Sequence, residues 1–405
     1  MMFTRKGINS TSNSSLVLLS IALLFLPFVN NIWRAYSNVS SWSITEWLIS
    51  YDGGFVRRGI GGEIVKTLSV VFELSPSSII IILSVVSWLL LVFLVLRVSR
   101  GLLPSYIVLS PVFLGMPIYS DFIIRKDVLG LLLLAVSFLV IRSWTGTKKY
   151  VSVTALLAFG VLNHESIIFY GFPIIILAEI CVNKNVEWKR NLVPYLPLLL
   201  VGLAVVISKG TADTALHITY FWNSFFTEKY SEFCCYSEAP TAIDAIGWST
   251  QRGLSLSLGL LNDFANGFIY VPLAWILTIF LCLQFGSWSL NKAVARQFSK
   301  IFLIQLFFVS PLFLLGWDLG RWIFLITVSS LLWVSCFREV EISNKYLDYL
   351  DSLVHLGQRL NQKEIGFFGL VVGVPGCCWS VQGVILSTPL GDNLHILFKL
   401  IQRAI

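Results

Sequence analysis

Apolar residues form long, nearly uncharged runs along the whole chain, and short polar stretches separate these runs. The runs are continuous and lack the alternation of apolar and polar residues that a transmembrane β-strand needs. A helix of about 20 residues is required to cross a hydrocarbon layer of about 30 Å. The pattern therefore predicts an all-α, polytopic transmembrane protein of about 11 spans. The predicted spans cover 15–33, 77–97, 103–120, 127–142, 150–163, 165–182, 192–208, 268–287, 300–316, 320–337 and 366–389.

The polar stretches between the runs are short, so we predict one integral membrane domain over 1–405 and no separate soluble domain. The longest stretches are a first outer loop at 34–76, a long outer loop at 209–267 and an inner segment at 339–364. The inner segment is long enough only for an amphipathic helix. The run at 366–389 contains the sequence GVPGCC, so a kinked span, a re-entrant hairpin and two short pieces are all open there.

The positions of the basic residues predict the orientation of the spans. If the spans alternate, the loop lysines and arginines fall on one face, which the positive-inside rule assigns to the cytoplasm. The N-terminus is then cytoplasmic, and no small-x-small cleavage site follows the first run. Every unusual polar cluster falls on the opposite face, which is the periplasm if the chain lies in a bacterial inner membrane. The basic residues concerned are Arg5, Lys6, Arg97, Arg100, Arg142, Lys148, Lys149, Lys184, Lys189, Arg190, Lys292, Arg296, Lys300, Arg338 and Lys345.

Composition agrees with a membrane protein and excludes several other classes. Of the 405 residues, 56% are hydrophobic and 13% charged, whereas a soluble domain carries about 25% charged residues. The net charge of +7 is scattered through short loops, so we predict no nucleic-acid partner. The seven cysteines show no CxxC or other metal-ligand spacing, and we predict no metal and no cofactor.

The first outer loop contains the sequence YDGGFVRRGIGGEI at 51–64, which groups charge and glycine unusually densely. Arg57 and Arg58 bring fixed positive charge with a fork geometry that suits phosphate oxygens. Asp52 lies beside them as a candidate general base. The alternative is a solvated loop whose arginines contact lipid headgroups. Glycine backbone could also form an anion-binding nest, for which the candidates are Gly53, Gly54 and Gly59.

Three further clusters fall on the same predicted face. In SDFIIRKDVLG, Arg125 is either a partner of a nearby aspartate or a second phosphate ligand, and both interpretations are open. In NHESIIF, His164 and Glu165 suit a helix cap or headgroup contact, or else sugar hydroxyls and proton transfer. In GWDLGRWIF, Asp318 and Arg321 are three residues apart, which predicts an ion pair on one helix face, and Asp318 is a second candidate base.

Aromatic residues near the outer face have two interpretations. The segment 217–236 is rich in aromatic residues at helical spacing, which predicts an amphipathic helix in the membrane interface. Tyr220 and Trp222 within it, and Trp317 in the last cluster, are also candidates for stacking against sugar rings. An interfacial belt of aromatic residues explains the same positions.

One face thus offers arginines, glycine-rich backbone and isolated carboxylates, and the sequence has no Walker motif, dinucleotide fingerprint or nucleophile elbow. A lipid-linked phosphate that carries a sugar fits this combination. Undecaprenyl-linked saccharides are substrates of that kind, and we expect them as donor and acceptor. Arginines would hold the (pyro)phosphate, and a carboxylate would act as base on the acceptor hydroxyl.

The phrases DGGFVRRG (52–59) and WDLGRW (317–322) resemble those of bacterial polymerase-like membrane proteins. With its many spans and acid-bearing first outer loop, the chain is similar to C-type-fold membrane glycosyltransferases and to O-antigen polymerases. The resemblance implies a periplasmic active face, a role in surface polysaccharide such as lipopolysaccharide or capsule, and contact with membrane lipids and other polysaccharide-assembly proteins. Unlike those families, the chain has no second carboxylate adjacent to Asp52. A transporter or flippase of lipid-linked saccharides and a non-catalytic membrane subunit are the alternative functions.

Overall fold

The computed structural model describes residues 11–119, 122–183, 192–208, 210–229, 241–249, 251–252, 255, 270–315, 319–340, 364 and 389–404. Every regular element within these ranges is a helix, so the all-α fold class is confirmed. The longer helices are α1 (Thr11–Ser37), α3 (Gly59–Phe72), α4 (Pro76–Val98), α7 (Asp127–Ser143), α8 (Gly146–Asn163), α10 (Phe172–Asn183), α11 (Leu196–Ile207), α12 (Ala212–Lys229), α14 (Tyr270–Ser289), α15 (Lys292–Leu315), α16 (Leu319–Cys336) and α17 (Pro389–Ala404). The short helices are α2 (Trp42–Thr45), α5 (Ser105–Val108), α6 (Met116–Tyr119), α9 (Ile167–Tyr170), α13 (Thr241–Asp244) and a 3₁₀ turn at Val193–Tyr195.

Three helices of the described part are long and apolar enough to cross a membrane: Ser14–Ser37, Pro76–Val98 and Ala293–Phe313. A fourth candidate is the pair Val193–Ile207 and Ala212–Phe225, which is bent by 94°. The chain is therefore a helical membrane protein, but the predicted count of about 11 spans is not confirmed. Several apolar runs form helices shorter than a span, such as the 12-residue α10 and α11.

The helix α4 shows why the clearest apolar run becomes a span. Its start is fixed by Ser75, whose hydroxyl accepts a hydrogen bond from the Ser78 N–H, and by Pro76 at the first helical position. Arg97 in the last turn complements the helix dipole. One face packs into the protein and the other exposes Leu89 and Phe93, as expected of a helix in contact with lipid.

The run at 103–120, predicted as one span, is instead two four-residue helices, α5 and α6, joined by turns. The described residues from Tyr106 to Tyr119 are all buried, so protein surrounds this irregular backbone. Non-helical backbone is tolerated at membrane depth only where such partners satisfy it. Side chains of α1 and α4 donate to its carbonyls, by the contacts Asn31 Nδ2–Ile118 O (2.5 Å) and Trp88 Nε1–Leu114 O (2.8 Å). Just after the run, Trp47 Nε1 and Ser84 Oγ both donate to Ile124 O, at 2.6 and 3.1 Å.

The helix α16 lies at the centre of the bundle. It packs against α4, α7, α14 and α15, and every residue from Arg321 to Phe337 is buried. Gln305 of α15 links α16 to α9, because the Gln305 Nε2 group donates to Ser329 Oγ of α16 and to Tyr170 O of α9, each at 2.7 Å. This central packing fixes the beginning of α16, and with it Arg321, relative to α7.

Other predicted segments have mixed outcomes. In the long loop at 209–267, α12 covers the part of the predicted helix 217–236 that is described, and 230–236 lie outside the described residues. The first loop at 34–76 contains α2 and α3. The run at 165–182 divides at Gly171 into α9 and α10. The span predicted at 366–389 and most of the segment 339–364 lie outside the described residues.

Candidate functional site

Nine charged or titratable side chains from separate parts of the sequence meet near the beginnings of α3, α7 and α16 and the end of α8. We call this group the charge cluster. Its members are linked by ion pairs, hydrogen bonds or close electrostatic interactions, and most are buried. The charge cluster consists of Glu46, Arg57, Arg58, Arg125, Lys126, Asp127, His164, Glu165 and Arg321.

Arg58 joins two acidic residues of the cluster, the partly exposed Glu165 and the buried Glu46. Its guanidinium bonds Glu165 in a bidentate manner, with Nε–Oε2 at 2.8 Å and Nη2–Oε1 at 2.5 Å, and its Nη1 lies 3.2 Å from Glu46 Oε1. Arg57 Nη1 lies 3.8 Å from the same Glu165, and its Nη2 donates to Ala245 O at 3.1 Å. Although burial opposes ionisation, the charge and hydrogen bonds of Arg58, with Arg57, hold the pKa of Glu165 well below its usual range. Glu165 is therefore a carboxylate clamped between two arginines.

The backbone of Arg58 is itself unusual. Its φ of 66° lies in the left-handed region, which non-glycine residues rarely adopt, and it is the residue immediately before α3. Lys126 Nζ donates to the Arg58 carbonyl at 3.1 Å. The side chain and the backbone of Arg58 are thus both held by charged groups, and such strain persists where the surroundings over-determine it.

Glu46 is the innermost acid and is fully buried. Its Oε1 lies 3.1 Å from His164 Nε2, and His164 Nδ1 accepts the Ser166 N–H at 3.2 Å. These contacts assign the Nε2–H tautomer to His164, with Glu46 as its acceptor. Burial raises the pKa of Glu46, but the hydrogen bond from His164 and the charges of Arg321 and Arg125 outweigh burial and hold that pKa well below its usual value. The other oxygen of Glu46 has no hydrogen-bond partner among the described residues.

Lys126, in the turn before α7, is a fully buried lysine. Its Nζ lies 5.4 Å from the centre of the Trp47 ring and bonds the Arg58 carbonyl. Burial lowers its pKa to about 7, against the opposing charges of Glu46 and Glu165. A Cβ at Gly61 would lie 2.5 Å from this Nζ and 2.9 Å from Asn163 Oδ1. Gly61 is therefore a glycine because the buried lysine passes directly over it.

Arg321 and Asp127 form the second buried pair of the cluster. Arg321 Nε lies 2.7 Å from Asp127 Oδ2 and Nη2 lies 3.0 Å from Oδ1, so the pair is bidentate. Both residues are 1% exposed. The predicted local pair between Asp318 and Arg321 involves a residue outside the described part; within that part Arg321 pairs with Asp127, which is 194 residues away. Asp318 and Trp317 lie outside the described residues.

Asp52, the favoured candidate base, lies in a separate ion pair. Its two carboxylate oxygens are 3.0 and 3.2 Å from Lys66 Nζ, and the Ser50 hydroxyl donates to it at 2.6 Å. Lys66 also pairs with Glu63 at 2.8 Å. The expectation that Asp52 acts together with Arg57 and Arg58 is not what the geometry shows, because both arginines pair with Glu165.

Of the three glycines predicted to form an anion nest, Gly53 and Gly59 lie in close packing and Gly54 in a turn. The Gly54 N–H is already used, since it donates to Tyr51 O at 2.9 Å, and only Gly54 among the three candidates has a positive φ, of 101°. A Cβ at Gly53 would meet Thr214, and a Cβ at Gly59 would overlap the Tyr51 ring. The absence of side chains thus permits the loop to fold tightly against α12 and itself.

The two described aromatic candidates for sugar stacking, Trp222 and Tyr220, differ in how deeply their side chains are buried. Trp222 is fully buried, donates from Nε1 to Leu48 O at 2.5 Å and packs against Phe221 and Phe225. Its predicted role in sugar stacking is incompatible with that burial. Tyr220, on the same helix, is 64% exposed and keeps an accessible ring face for such a role.

The charge cluster is layered. Arg57, Arg58 and Glu165 retain side-chain exposures of 36%, 20% and 19%, whereas Glu46, Lys126, Asp127 and Arg321 are buried beneath them. Five basic residues (Arg57, Arg58, Arg125, Lys126 and Arg321) face three acidic ones (Glu46, Asp127 and Glu165). The excess of positive charge suits an anionic ligand at the exposed layer. Within the described residues, no group of His, Cys, Asp or Glu is arranged to hold a metal ion.

The sequence interpretation missed Glu46 and gave no role to Lys126 or Asp127. The signal for Glu46 was present, because the segment SITEWLIS contains one acid among apolar and small residues. The predicted arginines Arg57, Arg58, Arg125 and Arg321 do converge with His164 and Glu165. No family model matches the chain, and no curated protein or solved structure matches it either.

Proposed function

We propose that the chain is an integral-membrane glycosyltransferase or polysaccharide polymerase that uses polyprenyl-(pyro)phosphate-linked sugars. In this proposal it lies in a bacterial inner membrane with about 11 spans and a cytoplasmic N-terminus, and its charge cluster faces the periplasm. The observation that carries the proposal is the layered cluster, in which two partly exposed arginines share one carboxylate above buried charged side chains.

The donor would bind where Glu165 now lies. A (pyro)phosphate presents the same acceptor oxygens to Arg57 and Arg58 as the Glu165 carboxylate does, with more negative charge. In the cluster as a whole the arginines outnumber the carboxylates, and this balance of charge adds to the attraction. Donor binding and the Arg58–Glu165 ion pair are therefore competing states of the same two arginines.

This competition would also supply the base. A Glu165 carboxylate that has lost its arginines regains a higher pKa and becomes a stronger base. The acceptor hydroxyl oxygen attacks the anomeric carbon of the donor sugar, and its proton passes to Glu165. The bond from that carbon to the phosphate oxygen breaks, and the leaving (pyro)phosphate keeps the electron pair and stays on Arg57 and Arg58. His164 would act through Glu46 as a positioning residue, since it contacts that buried acid.

Arginine-to-lysine variants test the proposal in a bacterial strain whose surface polysaccharide depends on this chain. Lysine keeps the charge but loses the fork, so Arg57→Lys and Arg58→Lys should each shorten or abolish the polysaccharide ladder at normal membrane abundance. Arg142→Lys, at the far end of α7, is the matched control and should keep a normal ladder. Normal ladders from both Arg57 and Arg58 variants would contradict the proposed donor site. Reconstituted protein separates transfer from transport, because a flippase would move the donor without consuming it.

A further inference from the structure

A cavity of about 260 Å³ lies between α1 and α17, and its described lining includes no member of the charge cluster. The wall from α1 includes Asn30, Asn31 and Arg34, and the wall from α17 includes His395 and Lys399. Its volume is a little below the roughly 300–1,000 Å³ of small-molecule sites, which suits a headgroup rather than a whole lipid.

Hydrogen bonds between buried groups hold the walls of the cavity in place. Asn393 is 8% exposed, and its Nδ2 donates to the Leu23 carbonyl of α1 at 2.9 Å. On the other side, Asn31 Nδ2 bonds the Ile118 carbonyl. His395 and Lys399 are four residues apart and therefore lie on one side of α17, where both side chains are exposed at the edge of the cavity. These hydrogen bonds therefore fix the positions of α1 and α17, between which the cavity lies.

The lining of the cavity selects for an anion. The lining contains three basic side chains, Arg34, His395 and Lys399, and the amide groups of Asn30 and Asn31, which are hydrogen-bond donors. Within the described part of the chain, no acidic residue lines the cavity. Phosphate oxygens are the acceptors that such a set binds best.

The surroundings of the cavity are apolar and exposed, which points to a lipid. On α1, Phe25 and Trp33 are 61% and 62% exposed, and on α17, Leu394 and Phe398 are each 58% exposed. Both helices therefore present lipid-facing surfaces on either side of a basic cavity. A headgroup in the cavity could leave its hydrocarbon chains along these surfaces, as in basic pockets between membrane helices that bind anionic lipids.

We propose that this cavity binds the phosphate headgroup of an anionic lipid. The lipid is either an anionic phospholipid of the bilayer or a polyprenyl phosphate, which share the same headgroup chemistry. The site is separate from the charge cluster, and the proposal holds whether or not the chain transfers sugars.

Native mass spectrometry of the purified full-length protein provides the test, with phosphatidylglycerol, phosphatidylcholine, farnesyl phosphate and inorganic phosphate as separate probes. We expect one anionic lipid bound at least about tenfold more tightly than phosphatidylcholine, a difference of about 1.4 kcal/mol. Preference for phosphatidylglycerol or for farnesyl phosphate identifies which lipid the cavity takes. Equal binding of phosphatidylcholine, or displacement of the lipid by equimolar inorganic phosphate, would overturn the proposal.

Two kinds of variant locate the binding. Arg34→Gln/Lys399→Gln removes the charge, and Ile396→Trp fills the cavity from its apolar wall. Each should abolish the preference for the anionic lipid, whereas Arg142→Gln/Lys148→Gln, which lies outside the cavity, should retain it. Because the charge-removing and cavity-filling changes perturb folding differently, retention of the preference in either well-folded variant would overturn the assignment.

Discussion

Arg58 shows how much of the site depends on single residues. One side chain bonds Glu46 and Glu165, and its left-handed backbone presents a carbonyl to Lys126. The sequence predicted that Arg58 was functional because two arginines stand among glycines. It could not predict the partners, because Glu165 lies 107 residues away and Glu46 was one acid in an apolar stretch.

Lys126 leads to a prediction about pH. Its pKa is about 7 in the folded protein, against 10.5 for an unperturbed lysine, so the unfolded chain binds more protons between these values. Stability therefore rises with pH across that window, by at most about 1.4 kcal/mol per unit from this group. We expect the melting temperature of the wild type to rise from pH 7 to pH 9 relative to Lys126→Met. Lys148→Met, which removes an exposed lysine, should follow the wild type. An identical pH profile for Lys126→Met would contradict the assignment.

The close approach of Gly61 to Lys126 gives a second residue-scale prediction. Gly61→Ala should displace the Lys126 ammonium from the Arg58 carbonyl and lower the free energy of unfolding by about 1–3 kcal/mol. In a Lys126→Ala background the same change should cost much less, because the group it displaces is gone. Equal costs in the two backgrounds would show that the two residues are uncoupled. Val70→Ala, at an exposed position of the same helix, is the control.

The bounds of a helix could be predicted from the sequence where hydropathy and capping residues near in the chain determine them. The run from Pro76 to Val98 forms a helix with the expected bounds, because it is apolar throughout, has a serine cap and ends in an arginine. The equally apolar run at 103–120 does not form one helix, since side chains from α1 and α4 donate hydrogen bonds to the carbonyls of its turns. Such partners come from tertiary structure, so hydropathy could not distinguish a broken segment from a continuous helix.

The broken segment yields the element-scale prediction. Trp88→Phe keeps most of the packing but leaves the buried Leu114 carbonyl without its 2.8 Å hydrogen bond. We expect a loss of about 1–3 kcal/mol in unfolding free energy, observed as a lower melting temperature in detergent. Trp33→Phe, at a position 62% exposed, should have little effect. If both variants melt at the wild-type temperature, this contact does not hold the segment.

On the scale of the whole molecule, the sequence predicted that His164, Glu165, Arg57, Arg58, Arg125 and Arg321 share one outer face, and the structure brings these six residues together in one cluster. What the sequence could not show was the pairing pattern, because Asp127 and Arg321 connect α7 to α16 across 194 residues.

Asp127→Asn leaves Arg321 buried without its carboxylate and should be strongly destabilising, by about 3–5 kcal/mol. The double variant Asp127→Asn/Arg321→Gln should be more stable than Asp127→Asn alone. A double variant that is less stable would indicate that the two residues act independently.

The central claim is that Glu165 occupies the donor phosphate site and competes for its arginines. The most direct test is the binding of farnesyl pyrophosphate to purified protein, measured in the Arg34→Gln/Lys399→Gln background so that the α1–α17 cavity does not contribute. Glu165→Gln removes the competing charge and should tighten binding by about tenfold, or about 1.4 kcal/mol. Arg57→Gln should weaken it by a similar factor, and Asp52→Asn, whose carboxylate pairs with Lys66, should leave it unchanged. Unchanged or weaker binding by a well-folded Glu165→Gln protein would contradict the account.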